Sequence, residues 1–162
     1  MKILIVSDTH RKCGVLQLVL KRVGSIDMMI HLGDIEGDED YIRTLAGCQV
    51  AMVSGNNDYF SRLNAEEELI IGKYKVLITH GHYYRVSLGT KNIMEIAKSR
   101  GFDIVMFGHT HRPVIEYGDG IIALNPGSIS YPRQEPRVPS YMLMDIDRFG
   151  EAHFTICYVN QF

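Results

Sequence analysis

The chain has few cysteines, little net charge and no long apolar run. Its three cysteines, Cys13, Cys48 and Cys157, lie far apart and form no C-x-x-C pair. An odd number of dispersed thiols argues against a disulfide framework and indicates a reducing cytoplasm. No stretch reaches the roughly 18 apolar residues of a membrane helix, and residues 3–6 are too short for the apolar part of a signal peptide. We therefore expect a cytoplasmic protein that does not span a membrane.

The balance of charges also excludes a strongly basic surface. Seventeen basic and nineteen acidic side chains give a formal charge of -2. Nucleic-acid-binding surfaces are usually basic, so this composition argues against such a partner, although a local basic patch is compatible with it. The chain has 162 residues, is 46% hydrophobic and contains no linker or repeat, so residues 1–162 are predicted to form a single domain.

Apolar periodicity divides the chain into two halves. The first half reads β-α-β-α-β, with predicted strands at 2–7, 27–32 and 49–54 and helices at 15–23 and 38–46. In the second half, hairpins are predicted at 67–79, 114–124 and 141–159 and a strand at 103–107. A helix is predicted to run to Arg100, with Thr90 as its capping residue and Gly101 at its end. We expect a parallel sheet from the first half to pack against an antiparallel sheet from the second, with helices outside.

Residues that bind metals follow most of the apolar runs, where an α/β sheet builds its active site. Together they offer carboxylates, imidazoles and amide oxygens in numbers that suit two ions. The stretches are Asp8-Thr9-His10, Gly33-Asp34, Gly55-Asn56-Asn57-Asp58, Thr79-His80-Gly81-His82, Gly108-His109-Thr110-His111 and Asn125-Pro126-Gly127-Ser128.

Three of these stretches contain donors at i and i+2. In an extended chain such residues point the same way, so Asp8 and His10 could both reach one ion. Five of the seven histidines lie in these stretches, a distribution that independent core or surface histidines would rarely produce. His31 precedes Asp34 within an apolar strand and is predicted to be packed rather than a ligand. The pairs are Asp8 with His10, His80 with His82, and His109 with His111.

The remaining candidates are oxygen donors. Asp34 has two oxygens and can bridge two ions, and Gly33 before it lets the backbone approach closely. Asn56 offers a neutral amide oxygen, and Asp58 could orient a ligand or an attacking water from outside the coordination shell. The alternative for both Asn56 and Asp58 is a plain turn that binds nothing.

Two ions suit phosphoryl transfer because charge develops on both the attacking and the leaving oxygen. A pair about 3.5–4 Å apart stabilises both oxygens and lowers the pKa of a bridging water, so that hydroxide forms at neutral pH. A mixed oxygen and imidazole donor set favours transition metals over Mg²⁺. Two divalent ions are therefore expected as cofactors, Mn²⁺ first, with Ni²⁺, Co²⁺, Fe²⁺ or Zn²⁺ as alternatives.

The order D-x-H, G-D, G-N-x-D, H and G-H-x-H resembles the calcineurin-like metallophosphoesterase superfamily. The whole length is similar to its small bacterial and archaeal phosphodiesterases of the YfcE type. This resemblance implies an α/β fold, a four-layer α/β/β/α sandwich of two mixed sheets flanked by helices. It also implies that Asp34 bridges two ions, one held by Asp8, His10 and His111 and the other by Asn56, His80 and His109.

One position departs from the family pattern. Many members have histidine in the third place of G-N-x-D/E, where it helps the leaving group depart, and this chain has Asn57. An amide forms hydrogen bonds but supplies no proton at neutral pH. His82 is a candidate substitute because it is close to His80. The predicted catalytic residues are therefore Asp34, Asn57, Asp58 and His82.

The predicted function is hydrolysis of a small-molecule phosphate ester, a diester in the first place, by a bridging hydroxide on a dinuclear metal centre. The resemblance leaves two alternatives. One is a protein-binding scaffold like the small retromer subunit, in which the metal ligands are degraded. The other is a nuclease, which would need a nucleic-acid surface. The family resemblance also suggests that the protein forms a homodimer or a homotetramer.

Overall fold

Two five-stranded sheets lie face to face in the computed structural model, which describes residues 1–159. In the first sheet the order is β10-β9-β1-β2-β3, and in the second it is β4-β5-β6-β8-β7. The strands are β1 (Lys2–Val6), β2 (Met28–His31), β3 (Gln49–Met52), β4 (Glu66–Ile71), β5 (Tyr74–Thr79), β6 (Ile104–Met106), β7 (Pro113–Gly118), β8 (Ile121–Pro126), β9 (Ser140–Ile146) and β10 (Ala152–Tyr158).

Three α-helices cover the outer faces of the sheets in the described part of the chain, namely α1 (Gly14–Val23), α2 (Glu39–Ala46) and α3 (Lys91–Ser99). Two short 3₁₀ turns, His82–Tyr84 and Val86–Leu88, lie between β5 and α3. Within residues 1–159, none of these helices has the length and apolar character needed to cross a membrane.

Side chains along a strand point alternately to the two faces of its sheet, and this alternation produces the four layers. Ile3 and Ile5 of β1 point inward and pack with Ile78 of β5 between the two sheets. Leu4 and Val6 point outward into a second core beneath α1 and α2. The outer face of the second sheet packs against α3 in the same way. Strands buried on both faces explain why the sequence shows near-continuous apolar runs there.

The predicted α/β sandwich of two mixed sheets is confirmed, but the assignment of one parallel and one antiparallel half was wrong. The hairpin β9–β10 joins the first sheet, where Met144 of β9 pairs antiparallel with Ile3 of β1. In the second sheet β5, β6 and β8 run parallel. β1 is buried on both faces, so its second edge needs a strand of matching apolar character, and β9 provides one. The predicted single domain included residues 160–162, which lie outside the described residues.

One predicted local contact was also wrong. Thr90 precedes α3, but its side chain makes no capping hydrogen bond to the helix. Its hydroxyl donates instead to the carboxylate of Glu116 on β7. The end of the helix is as expected, because Gly101 follows it with a positive φ of 81°, a conformation that favours glycine.

The core between the sheets should carry much of the stability. Ile78 is fully buried there, whereas Ile70 on β4 is 72% exposed. Ile78→Ala should lower the free energy of unfolding by about 2–5 kcal/mol because it removes buried methyl groups and leaves a cavity. Ile70→Ala, its matched control, should cost less than about 1 kcal/mol. Urea unfolding followed by circular dichroism measures both, and equal losses would contradict this description of the core.

Candidate metal centre

Asp34 lies at the middle of a group of carboxylates and imidazoles at the strand ends. It follows β2 and is 2% exposed. Its Oδ2 atom is 3.7 Å from His10 Nε2, in the loop after β1. The same oxygen is 3.5 Å from His80 Nε2, which follows β5 of the other sheet. One carboxylate oxygen therefore faces imidazoles from both sheets.

A first donor group surrounds one side of Asp34. Its four members, Asp8, His10, Asp34 and His111, each offer an atom within 4.8 Å of all the others. His111 Nε2 is 3.0 Å from Asp8 Oδ1 and 3.5 Å from His10 Nε2. Donors this close to one another can reach a single cation, so this group could hold one ion.

A second donor group lies on the other side of Asp34 and adds Asn56, His80 and His109. The amide oxygen of Asn56 is 3.1 Å from His80 Nε2 and 2.9 Å from His109 Nδ1. His80 is fully buried, whereas Asn56 is exposed. This group could hold a second ion on the side of the site that is open to solvent.

The backbone at these positions is left-handed rather than extended. Asp8, His10, Asp34, His109 and His111 have φ values of 57°, 44°, 57°, 66° and 56°. Such values cost a non-glycine residue about 1–3 kcal/mol and cluster at functional sites. Asp8 and His10 therefore do not lie in extended chain as expected, although both belong to one donor group.

The two histidines of the last pair lie in different donor groups. His109 lies in the second donor group, whereas His111 lies in the first, because the turn between them directs their rings to opposite sides of Asp34. His82 belongs to neither group. Its ring centroid is 5.4 Å from that of His80, and its Nδ1 is buried without a hydrogen-bond partner in the described residues.

The outer nitrogens of three histidines are held by acceptors. His80 Nδ1 is 2.7 Å from the carbonyl of Leu32, and His111 Nδ1 is 2.7 Å from the carbonyl of Tyr131. A carbonyl oxygen only accepts, so both Nδ1 atoms carry the proton and both Nε2 atoms face the donor groups. Partners of this kind fix the ring and its tautomer in metal sites.

Glu36 orients His10 in the same way, by bonding to its outer nitrogen. The sequence analysis did not identify this residue. Its Oε1 is 2.7 Å from His10 Nδ1. The signal available in the sequence was a second carboxylate two residues after Asp34, in Gly33-Asp34-Ile35-Glu36. The acceptor from Tyr131 could not be found in this way, since a backbone carbonyl leaves no mark in the sequence.

Asp58 holds the loop that carries Asp34. Its Oδ1 accepts the backbone N–H groups of Ile35 and Glu36, at 2.8 and 2.6 Å. Its Oδ2 accepts those of Asp34 and Gly55, at 2.8 and 2.7 Å. The carboxylate therefore joins the loop after β2 to the loop after β3, and all of its bonds are to backbone groups.

Two glycines allow these loops to approach. A Cβ at Gly55 would lie 2.2 Å from Asp34 Oδ1, and one at Gly33 would lie 2.7 Å from the backbone nitrogen of Gly55. Both distances are far below van der Waals contact. Glycine before Asp34 was expected for this reason, and the structure adds the facing glycine of the next loop.

Electrostatics keep the central acids charged. Burial opposes a charge on Asp8, but the imidazoles of His111 and His80 outweigh it and hold the pKa of this carboxyl below its usual value. Burial also opposes a charge on Asp34, yet His80 and two hydrogen bonds from Asn57 hold its pKa well below the usual range. In turn, burial lowers the pKa of His80, but Asp34 and Asp8 outweigh it and raise that pKa.

The donors present fit metal ions. Asp8 Oδ1 is buried and has no hydrogen-bond partner in the described residues, although His111 Nε2 is 3.0 Å away. With the proton of His111 on Nδ1, the lone pair of Nε2 faces a carboxylate oxygen, an arrangement that is repulsive unless a cation lies between them. A set of two carboxylates, an amide and four imidazoles, of which Asp8, Asp34, His80 and His111 are buried, is thus a suitable site for divalent ions of the transition series.

Two residues near the donor groups have other contacts. His31 is buried, with Nε2 3.1 Å from the hydroxyl of Thr9 and Nδ1 3.3 Å from the N–H of Gly33. Burial lowers the pKa of His31 to about 4, so its ring is neutral and packed, as expected. Asn125 is not among the donors. Its amide donates to the carbonyl of Gly108 at 2.8 Å and supports the loop that carries the last two histidines.

Asn57 contacts Asp34 directly. Its side-chain amide donates to Asp34 Oδ2 at 2.7 Å, and its backbone N–H donates to Oδ1 at 2.9 Å. The residue that replaces the expected histidine therefore contacts the central carboxylate of the site.

A sandwich of two mixed sheets with oxygen and imidazole donors at its strand ends defines a domain with a candidate metal centre. The family model for the calcineurin-like phosphoesterase superfamily domain matches residues 1–148. The chain therefore belongs to the calcineurin-like phosphoesterase superfamily, and the resemblance inferred from its motifs is confirmed.

Relatives and solved structures agree with this assignment. The chain is 36% identical over 148 residues to a "Probable metallophosphoesterase", YsnB of Bacillus subtilis (strain 168), covering 91% of this chain and 85% of that protein. A structure from Streptococcus pneumoniae TIGR4, described as a "predicted phosphoesterase", matches with a TM-score of 0.78 and 27% identity, covering 98% of this chain and 97% of that one. Vps29 of Entamoeba histolytica, complexed with Zn²⁺, matches with a TM-score of 0.78 and 27% identity, over 99% and 100% of the two chains.

The contacts of Asp58 lead to a prediction for Asp58→Asn. Each carboxylate oxygen accepts two N–H groups, so an amide in either orientation would point its own N–H at two donors. We expect this variant to lose about 1.5–3 kcal/mol of unfolding free energy and to bind metal more weakly.

Urea unfolding and calorimetric titration with Mn²⁺ measure the two effects. Asp40→Asn is the matched control, because Asp40 is exposed on α2. It should change stability by less than about 0.5 kcal/mol. Unchanged stability and metal affinity in Asp58→Asn would show that the carboxylate does not hold the two loops.

Proposed function

We propose that the protein is a phosphodiesterase with a dinuclear metal centre that hydrolyses small-molecule phosphate diesters. The observation that carries this proposal is the position of Asp34 Oδ2, which is 3.7 Å from His10 Nε2 and 3.5 Å from His80 Nε2. A carboxylate shared in this way can bridge two ions. The first ion would be held by Asp8, His10 and His111, and the second by Asn56, His80 and His109.

When bound, two divalent ions supply positive charge that polarises the phosphate and activates water for attack. The mixed nitrogen and oxygen donors suit divalent transition ions. Among these we propose Mn²⁺, with Ni²⁺, Co²⁺, Fe²⁺ and Zn²⁺ as alternatives. The protein's part is to hold these donors in place. Glu36 and two backbone carbonyls orient three of the histidines, and Asp58 fixes the loop of the central carboxylate.

Two clefts that lead to the same site favour a diester. The aromatic cleft, of about 380 Å³, is lined among others by Arg11, Glu36, Asn57, Tyr59 and Phe60. The arginine cleft, of about 650 Å³, is lined among others by His10, Glu36, His111, Tyr131, Arg133 and Arg137. A diester carries a substituent on each side of its phosphorus, and each cleft can take one. Glu36 lies at the boundary between the two clefts.

We propose that Asn57 binds by hydrogen bonding and does not act as the acid that protonates the leaving group. Its amide donates to Asp34 and has no proton to give to a leaving group at neutral pH. Esters with good leaving groups should therefore be the better substrates. Asp58, which bonds only to backbone groups, acts by positioning Asp34 rather than by touching substrate.

The direct test is hydrolysis of bis-p-nitrophenyl phosphate beside p-nitrophenyl phosphate. The protein is stripped with a chelator and refilled with Mn²⁺. We expect activity to return with the metal, to be higher on the diester, and to be lost in Asp34→Asn, because that variant removes the shared charge between the ions. Release of p-nitrophenolate and metal content per chain are measured together.

Asp40→Asn serves again as the matched control and should keep full activity. Retained activity in Asp34→Asn would contradict the dinuclear proposal. A monoester preference with the same metal dependence would retain the metal centre and overturn the diester assignment.

His82 is proposed as the proton donor that Asn57 cannot be, and because burial, His80 and His109 lower the pKa of its ring, we expect this role to strengthen as the pH falls below neutral. Its ring centroid is 6.1 Å from that of His109, and its Nδ1 has no partner among the described residues. His82→Ala should slow hydrolysis of alkyl phosphate diesters by about 10²-fold or more, and that of the p-nitrophenyl ester far less, because only a poor leaving group needs protonation. His153→Ala, on β10, is the control. If alkyl esters react at the wild-type rate in His82→Ala, this role is excluded.

A binding role without catalysis is the second candidate, and the similarity to Vps29 favours it. Vps29 of Entamoeba histolytica matches as well as the bacterial phosphoesterase structure, and it is complexed with Zn²⁺. Metal uptake alone therefore does not separate the two candidates. Bound metal without turnover of any ester would favour the binding role, whereas metal-dependent turnover would favour the enzyme.

A further inference from the structure

The arginine cleft begins at the first donor group and extends away from it. His10 and His111 form its inner end, and Tyr131, Arg133 and Arg137 form its outer part. Its volume of about 650 Å³ is within the range of small-molecule sites. A phosphate at the donor groups would therefore leave room in the cleft for a substituent.

The outer wall of the cleft is tied to a proposed metal ligand. The backbone N–H of Arg133 donates to the carbonyl of His111 at 3.0 Å, and His111 Nδ1 donates to the carbonyl of Tyr131 at 2.7 Å. The hydroxyl of Ser130 donates to the carbonyl of Asp8 at 2.7 Å. The segment that carries Arg133 is thus held at a fixed position relative to the first donor group.

Positive charge dominates the outer rim. Arg133 and Arg137 line the cleft, and Lys12 Nζ lies 4.1 Å from the ring centroid of Tyr131. Glu36 is also in the cleft, but its carboxylate is bonded to His10. Arg137 is 3.5 Å from Glu135, and both side chains are more than 75% exposed, so this pair is weak and can be displaced by a ligand.

We propose that the arginine cleft binds an anionic group on the substituent of the substrate, so that the preferred substrates are phosphodiesters carrying a carboxylate or a second phosphate near the scissile bond. This inference rests on the proposed function, because it places the scissile phosphate at the donor groups. Arginine suits both anions, since its planar guanidinium donates two parallel hydrogen bonds to their oxygens.

The test compares p-nitrophenyl phosphodiesters that differ only in the second arm. The arms are propyl, 2-carboxyethyl and 2-phosphoethyl, and kcat and KM are measured for the Mn²⁺-loaded protein at low and high salt. We expect KM to be about tenfold lower for an anionic arm than for propyl, which corresponds to one favourable charged contact. The preference should shrink at high salt because the contact is near solvent.

Substitutions in the arginine cleft test its contribution to substrate preference separately from that of the catalytic site. Arg133→Gln with Arg137→Gln should abolish the preference, so that KM becomes the same for the propyl arm and for the anionic arms. Arg148→Gln, at the exposed turn between β9 and β10, is the control and should keep the preference. Equal KM values for all arms in the wild-type protein, or an unchanged preference in the double variant, would overturn the proposal. The two anionic arms show which anion the cleft prefers.

Failure of the proposed function gives a different pattern. If none of the esters is hydrolysed, calorimetric titration with 2-carboxyethyl phosphate and with propyl phosphate makes the same comparison without turnover. Tighter binding of the carboxylate, lost in the double variant, would support the cleft even in a protein that is not an esterase. Equal binding of the two would exclude it.

Discussion

The carboxylate of Asp58 is the contact on which the whole site depends. It accepts four backbone N–H groups from two loops that follow neighbouring parallel strands. Two of the residues it holds, Asp34 and Glu36, have left-handed backbones that would not persist without support. Through these bonds the side chain of Asp58 fixes the positions of Asp34, the central carboxylate, and of Glu36, the acid that orients His10. The facing glycines Gly33 and Gly55 leave the space in which this contact forms.

The same arrangement also places buried charge and backbone strain, which both disfavour the folded state, at one point of the protein. Buried carboxylates face the nitrogens of imidazoles whose protons are held on the far side, and several donors are in strained conformations. Without a metal ion, only protonation of the imidazoles offsets the unfavourable energy of these carboxylates, and it does so in part. The raised pKa of His80 reflects this effect. A cation that binds the folded chain relieves them and stabilises that state, so metal binding and folding should be coupled.

The two sheets contribute unequally and meet at the site. The loops after β1, β2 and β3 supply the carboxylates and the amide, whereas the loops after β5 and β6 supply three of the four imidazoles in the donor groups. Residues of the segment between β8 and β9 then hold His111 and form the wall of the arginine cleft. The site is thus formed where the two sheets meet, and the wall of the cleft is hydrogen-bonded to one of the donors.

The sequence by itself determined the elements and the donor types. Apolar runs of strand length located the strands, and carboxylates and histidines after them indicated a site at the strand ends. Family resemblance, rather than spacing, predicted that His109 and His111 lie on opposite sides of Asp34. Spacing could not place these two histidines because both have left-handed backbones, which the types of the donor residues do not reveal.

Only the tertiary structure decided the rest, and the physical reason is that long-range hydrogen bonds and strand pairings depend on which surfaces meet. It placed the last hairpin beside β1, joined Glu36 to His10, and gave Asp58 four backbone partners. It also set the carbonyl of Tyr131 against His111, a contact made by a group that every residue has. Such contacts follow from the packing of two sheets and from no local pattern.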